Sequence, residues 1–185
     1  MTVFSKNIKV SNFQLKSVEP IYSNQTWTGQ RIMRSTGIQY FQIQFQLAFN
    51  VEDISEYNNF IAQYSQGKPF TLSLGHISTY RGSQVGALTS AATAAKGTRL
   101  ITTDNNSMAV GEMIQFSNHN KLYRIIDRTD TTLTLFPALQ NTIQVSEPIK
   151  YNNLMIEAVL DPDNDYTLGV QKVMSIQLKA TENII

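Results

Sequence analysis

From Gln39 to Phe49 the chain alternates: Phe41, Ile43, Phe45, Leu47 and Phe49 are separated by Gln42, Gln44, Gln46 and Ala48. A step of two puts one row on each face of a strand, whereas a helical step would scatter the same aromatics around a cylinder. The pattern predicts a strand with an apolar face and an amide face. The period then changes. Ile54, Tyr57, Phe60, Ile61 and Tyr64 recur at steps of three and four, and Asn50 or Asp53 stands where an N-cap belongs. Gly67 follows where a left-handed residue closes a helix, and Pro69 bars continuation. These signals predict an amphipathic helix over 52–66, with its stripe on the apolar row of the preceding strand. Phe70-Thr71-Leu72-Ser73-Leu74 alternates again as a strand.

The remaining text is also β-like. Ile8 and Val10, then Phe13 and Leu15, lead to a Gly-containing stretch around Trp27. Residues 76–97 are small and weakly patterned. Their alanines favour helix, the interleaved Ser and Thr compete with it, and a covered edge strand is the preferred reading over a short helix. Residues 97–149 break into short runs separated by turn clusters: 99–102, 112–116, 122–126 and 132–136. Strands at such spacing predict a small barrel or sandwich. Leu154–Leu160 and Val170–Lys179 then flank the turn Asp161-Pro162-Asp163-Asn164-Asp165. The expected fold is mainly β, a sandwich- or barrel-like core with one short α-helix. That core is split, residues 1–75 plus 150–185, around an inserted small barrel, OB- or SH3-like, at 76–149. An insertion costs little when its ends lie close together.

Composition narrows the function classes. Of 185 residues only 16% are charged, against about 25% in ordinary soluble domains, and the balance is +1. Amides and hydroxyls fill the polar positions, which suits a protein packed against neighbours. Near-neutrality offers no electrostatic footprint for a nucleic-acid backbone, so no nucleic-acid specificity is expected. No apolar run reaches membrane-spanning length, so no membrane insertion is expected. The segment Met1-Thr2-Val3-Phe4-Ser5-Lys6 lacks the order of a secretory signal, and the two glycosylation sequons at Asn24 and Asn105 read as chance. The absence of cysteine excludes disulfides and thiolate chemistry and fits synthesis in a reducing cytoplasm.

Candidate chemistry is sparse. His76 follows a strand and His119 lies in a polar turn, neither with a ligand partner at helical spacing. The Asp161–Asp165 run opens like a calcium loop, yet Tyr166 and Lys172 stand where that loop needs Gly and a bidentate acid, so an acidic turn is the simpler reading. No phosphate loop, nucleophile elbow or dinucleotide fingerprint is present. No catalytic residue, metal site or cofactor is expected, and the chain reads as no enzyme. Trp27, Arg31 and Arg34 are either interface anchors or, respectively, a core plug and two solvated arginines. The amide row Gln42, Gln44 and Gln46 faces either solvent or a neighbouring subunit.

The order of these features resembles a group of phage tail and baseplate-hub proteins, the distal tail protein group. The resemblance spans 25–180 and rests on patterns of strand and turn. An Arg/Gly stretch, Gly29-Gln30-Arg31 through Ser35-Thr36-Gly37, precedes the strand ending Phe45-Gln46-Leu47. The helix segment Phe60-Ile61-Ala62 to Gly67 leads into Phe70–Leu74. Within the insert come Gly97-Thr98-Arg99-Leu100, Val110-Gly111-Glu112-Met113-Ile114, Leu122-Tyr123-Arg124-Ile125 and Leu133-Thr134-Leu135-Phe136-Pro137-Ala138-Leu139. Glu112 stands where such sequences often carry Asp. The resemblance implies a virion protein made in the bacterial host cytoplasm, a homo-oligomeric ring (trimer or hexamer) between tail tube and baseplate or tail-fibre proteins. Long strands with few guarding charges or prolines fit that expectation, because edges left open in a monomer become interfaces in a ring. A carbohydrate- or receptor-binding module using Trp27, Tyr80 and Tyr123 is one alternative. A glycan hydrolase using Asp161, Asp163, Asp165 and Glu157 is another, although one turn seldom makes a cleft with carboxylates about 5–9.5 Å apart.

Overall fold

The computed structural model describes residues 4–169 and 171–184; residues 1–3, Val170 and Ile185, on which part of the N-terminal reading and the start of the 170–179 strand fall, lie outside the described residues. The chain is mainly β with one α-helix. It forms two compact units, residues 1–72 with 157–185, and residues 73–156. In chain order the elements are β1 (Lys9–Val18), β2 (Ile21–Gln25), β3 (Arg31–Ser35), β4 (Tyr40–Asn50), α1 (Ile54–Tyr64) and β5 (Phe70–Ser73). There follow β6 (Leu88–Thr89), β7 (Leu100–Thr102), β8 (Met113–Phe116), β9 (Leu122–Arg128), β10 (Thr132–Phe136) and β11 (Pro148–Lys150). The last two are β12 (Met155–Leu160) and β13 (Val173–Glu182).

The first unit is built on a five-stranded sheet in the order β1-β4-β13-β12-β5. Its centre is the alternating strand. Phe41, Ile43, Phe45, Leu47 and Phe49 are buried while Gln42, Gln44 and Gln46 on the opposite face are half-buried. Met174, Ile176, Leu178 and Ala180 of β13 extend the same apolar row. Helix α1 supplies aromatics to this unit's core: Tyr57 stacks on Phe49 at 5.2 Å between centroids, and Phe60 meets Phe70 edge-on at 5.3 Å. Phe4 packs on Phe60 at 4.6 Å. Such pairs add about 0.5–1.5 kcal/mol each beyond the area they bury. The helix ends as its sequence demands, with Gly67 at φ +86°.

One local expectation is corrected, and the edge strand preferred for residues 76–97 is present but short. Neither Asn50 nor Asp53 makes a side-chain cap bond. A 3-10 turn, Val51–Asp53, leads into the helix instead, and the Asp53 carboxylate accepts from Asn7 Nδ2 at 2.8 Å. Residues 76–97 hold only the short strand β6, after a 3-10 turn over Gly75–Ser78. Their Ser and Thr hydroxyls bond to loop groups, as when Ser78 Oγ donates to the Gly75 carbonyl at 2.9 Å, which removes the incentive to extend a ladder.

The second unit is a six-stranded sheet in the order β6-β11-β8-β9-β10-β7. Its two edges meet: Ala91 N–H donates to the Thr102 carbonyl at 2.9 Å and Asp104 N–H to the Thr89 carbonyl at 3.2 Å. The sheet therefore curls into a small barrel. Its interior is filled by Met108, Ile114, Phe116, Tyr123, Ile125, Leu133, Leu135 and their neighbours, nearly all fully buried. Gln115 is the buried polar exception on β8, and its amide is satisfied by donating to the carbonyls of Asn120 at 2.8 Å and Met155 at 2.9 Å.

Candidate assembly surface

Strands β1 and β4 pair up to Val18 opposite Tyr40, after which the chain kinks and continues as the hairpin β2–β3. The kink is local chemistry. Pro20 and Gly37 (φ +75°) break the ladder, and Thr36 clamps it by donating from N at 3.3 Å and from Oγ1 at 2.8 Å to the Pro20 carbonyl. Beyond it β2 and β3 pair only with each other and form a separate two-stranded sheet. The turn at the tip is closed by Thr26 N–H donating to the Gln30 carbonyl at 2.9 Å, with Gly29 at φ +83°.

Every residue of this arm's two strands is exposed. Register places Ile21, Ser23 and Gln25 with Ser35, Met33 and Arg31 on one face, and Tyr22 and Asn24 with Arg34 and Ile32 on the other. Each face thus carries apolar side chains in solvent: Tyr22 is 71% exposed, Met33 57% and Ile32 56%. Trp27 sits in the tip turn with its ring fully in solvent, so it is no core plug. Among the described residues the Arg31 and Arg34 side chains have no hydrogen-bond or ion-pair partner. A lone two-stranded hairpin is marginally stable in water because it cannot bury an apolar face. Tyr22, Ile32 and Met33 went unremarked in the sequence. Their signal was the consecutive pairs Ile21-Tyr22 and Ile32-Met33, since neighbours on a strand point to opposite faces.

The amide row lies elsewhere, on the open face of the five-stranded sheet. Gln46 bonds to Asn12 and Ser175. Gln42 and Gln44, with Gln14, Lys16, Asp161, Asp163 and Lys179, line a groove of about 410 Å³. The groove is polar and self-paired. Lys179 Nζ lies 2.8 Å from Asp163, and this contact holds the Asp163 carboxyl below, and the Lys179 ammonium above, its usual range. Thr181 Oγ1 donates to Asp161 at 2.6 Å, Thr167 N–H donates to Asp165 at 2.9 Å, and Asn183 Nδ2 donates to Glu157 at 2.7 Å. The acids of the 161–165 turn thus serve its own structure. No group of three or more His or acidic side chains poised for a metal occurs among the described residues.

The sheet edges carry more protection than the sequence led us to expect. β1 has a bulge between Ser11 and Gln14, with Asn12 at φ +49°, and lysines at positions 9 and 16; β5 is only four residues long. Bulges, lysines and short strands all discourage edge pairing. Of the aromatics considered for sugar stacking, Tyr123 is fully buried and Tyr80 packs edge-on against Tyr151 at 4.9 Å, which leaves Trp27 as the one open ring of the three. His76 borders a shallow depression of about 380 Å³ with Arg81 and Glu112, while His119 is half-buried against Phe116 and Tyr123.

No protein-family model matches this chain, and no curated protein matches it in sequence.

Proposed function

We propose that this chain is a structural component of a phage tail tip or baseplate hub, whose copies form a ring joining tail tube to distal or receptor-binding components. The observation that carries the assembly part is the β2–β3 arm, which carries exposed apolar side chains on both faces and is buried by nothing in its own unit. The tail-tip part rests on the resemblance in the order of strand, turn and helix motifs. Aromatic and arginine side chains of the arm's kind dominate binding energetics at protein interfaces. An arm that docks on a different patch of the next copy makes a heterologous contact, and such contacts close into rings when the rotation allows.

Native mass spectrometry at micromolar concentration tests the reading. The wild-type chain is expected to run as a closed multimer, and the double variant Tyr22→Ser, Ile32→Ser as a folded monomer. A wild-type chain that stays monomeric and also fails to bind tail-tube or baseplate proteins overturns it.

A further inference from the structure

One imidazole ties together two loops of the second unit, and the bonds around it specify where its proton sits. Asn118 Nδ2 donates to the Thr142 carbonyl at 3.1 Å, which turns the Asn118 amide oxygen toward His119 Nδ1. An amide oxygen can only accept, so Nδ1 carries the hydrogen and Nε2 is left with its lone pair. Nε2 lies 2.7 Å from the Tyr123 hydroxyl, which therefore donates to it. The hydroxyl oxygen in turn accepts the Gln140 N–H at 3.0 Å. The ring is held flat on Phe116, with centroids 5.6 Å apart and planes at 20°, and edge-on to Tyr123 at 5.5 Å. Both aromatic partners are buried.

We propose that His119 is a proton-gated latch: neutral, it fastens the 117–121 turn to the 138–143 segment through Tyr123, and a proton on Nε2 unfastens them. Protonation puts a donor where the Tyr123 hydroxyl has been donating, next to the Gln140 N–H that already points at the same oxygen. The segment released is the one that closes against Ala94, where Ile143 N–H donates to the Ala94 carbonyl at 3.0 Å. Burial holds the His119 pKa below 6.5, and the Glu147 carboxylate pulls weakly the other way. Tyr123 is the other titratable group against the ring, and Lys121 lies in the same turn. Because the closed form binds the proton less readily than the open one, the latch is fully fastened above pH 6.5 and loosens as pH falls from there through the lower value of the closed state.

Hydrogen exchange at the Gln140 amide of the full chain, corrected for intrinsic exchange, reads the latch directly. Its protection is expected to fall as pH drops below 6.5, by about tenfold for each unit by which the site depresses the His119 pKa. His119→Gln is expected to remove that pH dependence, and Tyr123→Phe to leave the amide weakly protected at every pH. Nitrogen shifts of the His119 ring supply an independent reading in the unaltered protein, with Nδ1–H the expected neutral form. Protection that stays flat across the range, a fall that His119→Gln leaves unchanged, or a ring that titrates at or above its ordinary value would each overturn the latch.

Discussion

The β1–β4 pair and the β2–β3 pair are the lower and upper halves of one long hairpin, yet β4 in the lower half buries an apolar row and the upper half is bare. In the lower half Phe41, Phe45 and Phe49 are at most 3% exposed and face a unit core that α1 helps to fill. In the upper half Tyr22, Ile32 and Met33 are more than half exposed. The difference lies in how each half distributes its apolar residues. One-sided alternation needs a single cover, and the chain supplies that cover itself in the next element. Apolar neighbours at 21–22 and 32–33 need cover on both sides, and the unit offers none. An element that folds without cover in its own unit is the natural place to look for a partner.

The widest separation between the halves should come from truncating each in turn. Phe45→Ala empties a site that is 0% exposed and lies against Phe70, and should destabilise the first unit by about 3–5 kcal/mol in denaturant unfolding. Trp27→Ala should leave that unfolding within about 0.5 kcal/mol of wild type but weaken self-association by about 2 kcal/mol, read by sedimentation across a dilution series. Equal effects of the two changes on folding would erase the distinction.

A smaller effect sharpens it. Tyr57 stacks on Phe49, and its hydroxyl is buried without a hydrogen-bond partner. Tyr57→Phe should therefore stabilise the covered half by about 1 kcal/mol. Burial, reinforced by Tyr166 and Asp165, pushes the Tyr57 pKa from 10.0 up to about 12. The unfolded chain ionises first, so wild-type stability is complete below pH 10.0 and is lost as pH rises toward 12, and the Tyr57→Phe variant should lack that loss. The smallest change belongs to the exposed Asp163–Lys179 pair: Asp163→Asn should barely move the unfolding midpoint at neutral pH, because solvent screens such a pair.

These contrasts also mark what could be read from the residues alone. The alternation at 41–49 and the three-and-four spacing at 54–64 are periodic over enough residues to specify both the element and its buried face. Asp53 holds the N-cap position, but its carboxylate bonds to Asn7, a partner remote in sequence that no local pattern reveals. Residues 76–97 were ambiguous because their hydroxyls bond to loops rather than to a periodic neighbour. Trp27, Arg31 and Arg34 were recognisable as interface types, but their exposure depends on β2 and β3 pairing only with each other, which no local pattern reveals. The His119 latch was out of reach, since it joins the turn at Asn118 to the segment at Thr142, 24 residues on, through bonds that spacing does not encode.

Trp27 is the chain's one tryptophan and sits at the tip of the arm, so emission excited at the red edge, where the tyrosines do not absorb, reports the arm. Measured over a concentration series beside the molecular mass, its emission should move to shorter wavelength in step with multimer formation, as the ring passes from water into a neighbouring copy. A mass that rises while the emission stays that of a solvated indole would place the interface elsewhere and contradict the account.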